Sequence, residues 1–102
     1  MGDTFGSGAK PIYYGSDTVD PDSLVNWTTT EEEVDCTGAE VGMLVSVGMT
    51  TFDGTVAGQN YLHLNGYVKD GGDVVVVVFS NMGSVIPLNL AEGTLYVKAT
   101  FG

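Results

Sequence analysis

His63 and Cys36 are the only histidine and the only cysteine of the chain, which limits the chemistry its side chains could perform. A zinc site is built from several such ligands, so one chain cannot assemble a His/Cys set. Nucleophilic catalysis would place a serine or Cys36 beside His63 with an acid to orient it, and a single histidine on an alternating strand face reads as structural or exposed. Asp17, Asp20 and Asp22, or Asp70 and Asp73, could offer oxygen ligands to calcium. Neither group has the loop spacing and closing glutamate of a calcium loop, so they read as solvated turn carboxylates. With 13 acidic residues present, spacing singles out no carboxylate pair for acid–base work. Gly71-Gly72 lacks the lysine of a phosphate loop, and the sequon Asn26-Trp27-Thr28 follows no secretory signal. The expectation is a protein that is not an enzyme, with no catalytic residue, no metal and no cofactor.

The residues that remain to be explained are apolar, and the elements carrying them read as strands. Val74 to Val78 are five consecutive valines followed by Phe79, and β-branched side chains favour a pleated strand over a helix. Alternation puts Val75, Val77 and Phe79 on one face, assigned to the core, and Val74, Val76 and Val78 on the other. Tyr61 to Lys69 alternates as well, with Leu62, Leu64, Gly66 and Val68 opposing Tyr61, His63, Asn65 and Tyr67. Asp70-Gly71-Gly72-Asp73 between the two runs predicts a hairpin. One or two half-buried strands are expected within Val25–Cys36, carrying Val25, Trp27 and Thr29 in alternation and Cys36 inside, and further strands within Val41–Met49 and from Gly93 to Phe101. Thr50 to Asn60 reads as a loop or hairpin, and Pro87 interrupts an extended Val85–Leu88. About six short strands predict an all-β fold, a small antiparallel β-sandwich of jelly-roll or Ig-like type over residues 19–102. Residues 1–18, rich in glycine and serine, read as a flexible N-terminal arm whose Phe5, Tyr13 and Tyr14 dock on a partner.

The chain has 102 residues, enough for one domain, and a formal charge of −10. Its cations are Lys10, Lys69 and Lys98, with no arginine. Nucleic acids and anionic membranes are polyanions, so neither is expected as a partner. The N-terminal stretch has neither the basic start nor the apolar run of a secretory signal, so synthesis in a cytoplasm is expected. A two-layer sandwich has no third layer to cover Val74, Val76 and Val78, which are therefore expected to meet another protein.

From Val19 to Lys98 the order of motifs resembles a β-sandwich domain of tailed-phage structural proteins, namely capsid decoration (cement) proteins and the ends of head-fibre proteins. The pieces are Val19-Asp20-Pro21-Asp22-Ser23-Leu24, Val34-Asp35-Cys36-Thr37-Gly38-Ala39, Val41-Gly42-Met43-Leu44-Val45, Leu64-Asn65-Gly66-Tyr67-Val68, Gly72 to Asn81, and Gly93-Thr94-Leu95-Tyr96-Val97. The resemblance implies a non-enzymatic virion protein on the outer capsid surface, assembled in the host cytoplasm. It would bind the major capsid protein, commonly as a homo-oligomer whose many weak contacts add up. The alternatives are a fibre or tail component, or a carbohydrate-binding module in which Trp27, Tyr61, Tyr67 or Tyr96 stacks on sugar rings.

Overall fold

The computed structural model describes residues 11–20, 24–25, 27–50, 61–83 and 92–101. Its elements are β1 (Ile12–Val19), β2 (Thr29–Asp35), β3 (Leu44–Met49), β4 (Leu62–Val68), β5 (Val74–Asn81) and β6 (Gly93–Thr100). They form two three-stranded antiparallel sheets, ordered β1-β6-β3 and β2-β5-β4. The sheets stack with β1 over β2 and β3 over β4, so the all-β sandwich expected from the strand pattern is the fold. Among the described strands only β4 and β5 are consecutive neighbours in one sheet. Every other connection crosses between layers, which is jelly-roll rather than Ig-like winding.

The core follows from the alternation. Val75, Val77 and Phe79 on β5 and Leu95, Val97 and Ala99 on β6 are buried between the layers. Each large side chain among them is worth about 1.5–3 kcal/mol for leaving water. The layers meet closely at Gly66, where an added Cβ would lie 2.7 Å from Val45 and 2.9 Å from Val47 on the facing β3. Cys36 is buried, as expected from its place beside Val34.

The expected β4–β5 hairpin forms, with Leu64 opposite Phe79 and Val68 opposite Val75. Its turn ends in Asp73, whose φ of 68° is tolerated by aspartate. That residue ties the turn to its neighbour: its carbonyl accepts from Cys36 N–H at 2.8 Å, its N–H donates to Ala39 O at 2.9 Å, and its Oδ1 accepts from Gly38 N–H at 2.9 Å.

Two expectations are corrected. Residues 12–18, assigned to a flexible arm, belong to the sandwich: Ile12–Val19 is β1, paired with β6 along its whole length. The glycine read as flexibility serves clearance, because an added Cβ at Gly15 would collide with the Asp35 carbonyl. Val25 and Trp27, expected within a half-buried strand, are exposed in the turn that precedes β2. Phe5 and the rest of residues 1–10, the segment 51–60 expected as a loop or hairpin, and the expected proline interruption within 84–91 lie outside the described residues.

Candidate functional site

The outer face of β5 is not bare. Val76 keeps only 4% of its surface exposed. Its register partners are Glu33 on β2 and Tyr67 on β4, both long enough to lean over a valine. Lys69 Nζ then reaches Glu33 Oε2 at 2.9 Å. Because β2 and β4 flank β5, this ion pair has to pass over the outer side of the valine row. Its hydrogen bond and charge raise the Lys69 pKa above the ordinary value. Val76 is thus covered within the chain, correcting the expectation that a partner must bury it, while Val74 and Val78 are half-buried.

The opposite sheet presents a different surface. Alternation sends Tyr13, Gly15, Val45, Val47, Leu95 and Val97 inward, which leaves the outer side of β1-β6-β3 in register rows. Ile12, Thr100 and Leu44 form one row, Tyr14, Lys98 and Ser46 the next, and Ser16, Tyr96 and Gly48 the third. Ile12, Tyr14, Leu44 and Tyr96 are all exposed, Tyr14 to 68% and Tyr96 to 51%. The small residues beside the tyrosines leave an open groove of about 610 Å³ lined by Tyr14, Ser16, Ser46, Gly48, Tyr96 and Lys98. It combines two phenol rings, two serine hydroxyls and one cation over a floor of sheet backbone, a composition suited to contact.

The residues singled out by sequence fall apart in space. Tyr14 joins the open face, whereas Tyr13 turns inward against the core and over Gly38. The aromatics suggested for sugar stacking lie on three surfaces: Tyr96 on this face, Tyr67 on the outer side of the other sheet, and Trp27 with Tyr61 at one end of that sheet. His63 is exposed on the outer side of β4, remote from Cys36, whose thiol pKa is pushed up by burial. Among the described residues no group of His, Cys, Asp and Glu gathers closely enough to hold a metal. Sequence reasoning missed Ile12, Leu44 and Lys98 as surface partners of Tyr14. The alternation of Ile12, Tyr13 and Tyr14 held that signal, but the glycines around it obscured the strand. Compared with family models, characterised proteins and solved structures, the chain gives no match.

Proposed function

We propose that this chain is a tailed-phage capsid decoration protein that binds the assembled lattice of the major capsid protein through the outer face of β1-β6-β3. The observation that carries the reading is the concentration of Ile12, Tyr14, Leu44 and Tyr96, all exposed, on that one three-stranded face. Exposed apolar patches with aromatic centres favour protein contacts. The opposite valine row, by comparison, is largely covered by its own neighbours. The motif order from Val19 to Lys98 supports the phage setting. A face this small binds modestly, and repetition on a lattice, by an oligomer or by many separate copies, raises the effective affinity without new contacts.

The experiment is co-sedimentation with empty, expanded capsids assembled from the major capsid protein encoded in the same genome. The wild-type chain should pellet with them, and the double variant Leu44→Glu/Tyr96→Glu should stay in the supernatant while keeping its circular dichroism spectrum. Absence of wild-type binding, or unchanged binding by the double variant, would refute the reading. The groove between Tyr14 and Tyr96, with Ser16 and Ser46 beside it, favours a second reading as a sugar platform. A glycan-array signal lost in Tyr14→Ala, in a protein with no capsid affinity, would establish that one instead.

A further inference from the structure

Among the described residues two that are not glycine have a positive φ, Asp73 and Trp27, the latter at 62°. Aspartate tolerates this region, and the Asp73 side chain caps a neighbouring amide. Tryptophan has no such compensation, and a bulky residue held there is strained. Strain of this kind persists only where the surroundings over-determine it.

The surroundings are built from β5. Trp27 N–H donates to Asn81 O at 2.9 Å and Asn81 N–H donates to Thr28 O at 3.0 Å, while Thr28 closes back on Val25 O through its amide and its hydroxyl. The Asn81 side chain is fully buried: Nδ2 donates to Leu24 O at 3.0 Å and Oδ1 accepts from Gly83 N–H at 3.2 Å. Gly83 has a φ of 122°, and a Cβ there would lie 3.2 Å from the indole Cζ2. The indole therefore rests on bare backbone, yet Trp27 remains 69% exposed. Val25, Tyr61 and Met82 are exposed at the same end of the sheet, joined to it by the Met82 N–H to Tyr61 O bond at 2.8 Å.

We propose that Trp27 anchors a second contact surface, which receives an arginine or lysine side chain of a basic protein partner on its open indole face. The inference rests on the reading of this chain as a protein-binding domain and goes beyond it in naming the partner's chemistry. Tryptophan offers the strongest aromatic face for a cation. A chain of charge −10 attracts basic surfaces and repels nucleic acid. Trp, Tyr and Met are enriched where protein interfaces bury most area. The neighbours Val25 and Met82 add exposed apolar area beside the indole, of the kind a protein contact buries.

Trp27 is the only tryptophan, so 5-fluorotryptophan labelling yields a ¹⁹F signal from this site alone. The probes are hexa-arginine, a neutral Gly-Ser hexapeptide and cellohexaose. Hexa-arginine should shift the resonance and the neutral peptide should not. Calorimetry should find binding about fivefold weaker in Trp27→Ala, with part of the loss restored in Trp27→Phe. Trp27→Gly, which relieves the strain, should unfold at a midpoint no lower than the wild type while binding hexa-arginine as weakly as Trp27→Ala. A resonance indifferent to hexa-arginine, equal binding by Trp27→Ala, or a shift with cellohexaose alone would overturn the proposal. Because the peptide assay involves no capsid, it fails independently of the decoration reading: chains that pellet with capsids but show no ¹⁹F response refute this inference only.

Discussion

Asn81 and Cys36 are buried side chains of opposite character, and each makes a testable demand. Asn81 holds the Leu24 carbonyl and the Gly83 amide from a fully buried position. Asn81→Leu keeps the volume but leaves buried polar groups unpaired, which costs about 1–3 kcal/mol for each group so orphaned. Urea unfolding should show that loss, and a midpoint equal to the wild type would remove Asn81 from this role. Cys36 is enclosed and its thiol pKa is raised, so both access and thiolate fraction oppose alkylation. Labelling by iodoacetamide should be slow in the native protein and become fast only in denaturant. Labelling of the native protein at the rate of free cysteine would place the thiol at the surface. Lys69 is exposed, and its folded-state pKa lies above the ordinary 10.5. The stability it contributes is complete below that value and is lost as pH rises through the folded-state pKa. Lys69→Met should therefore lessen the fall in unfolding midpoint at alkaline pH, and an identical alkaline limb in the variant would contradict the linkage.

At the scale of elements the two faces of β5 differ more subtly than alternation alone suggests. Val77 lies between the layers and Val76 lies beneath side chains of the flanking strands. Val77→Lys buries an unpaired charge against a total stability of about 5–15 kcal/mol and should abolish the fold. Val76→Lys should stay folded, because its amine can rise to solvent beside Glu33, and should keep capsid affinity, because the open face lies on the other sheet. Circular dichroism and co-sedimentation separate the two, and an unfolded Val76→Lys would show the row to be core. Strand periodicity was enough to find β4, β5, β6 and the core faces, since Leu62, Leu64, Val75, Val77, Leu95 and Val97 alternate without interruption. It did not reveal β1, where Gly15, Ser16, Asp17 and Thr18 carry little apolar signal and the strand is held by pairing with a segment some 80 residues away. Nor could it reveal that Val76 is covered, because the Glu33–Lys69 reach depends on which strands flank β5. The open face was invisible for the same reason: Ile12, Leu44 and Tyr96 become neighbours only through the order β1-β6-β3.

For the molecule as a whole the dominant long-range term is its charge of −10, which repels itself in the compact state and draws basic surfaces from a distance. Salt screens both effects over a Debye length of about 8–10 Å at physiological strength. Raising sodium chloride from low to moderate concentration should therefore raise the thermal midpoint of the free protein while slowing the proposed association with capsids. A midpoint that falls with added salt would mean that attractive pairs outweigh the repulsion. The jelly-roll winding also sets an order in time. The β4–β5 hairpin can close within microseconds once made, but the pairing of β1 among the described residues is with β6, some 80 residues further along the chain. At about 5–20 residues per second, several seconds of synthesis separate the two strands on the ribosome. Throughout that interval β1 is a nascent strand without its mate, open to wrong partners or to a chaperone. Its run of glycine, serine, aspartate and threonine is a poor template for aggregation, so the composition that hides this strand from pattern reading also protects it while it waits.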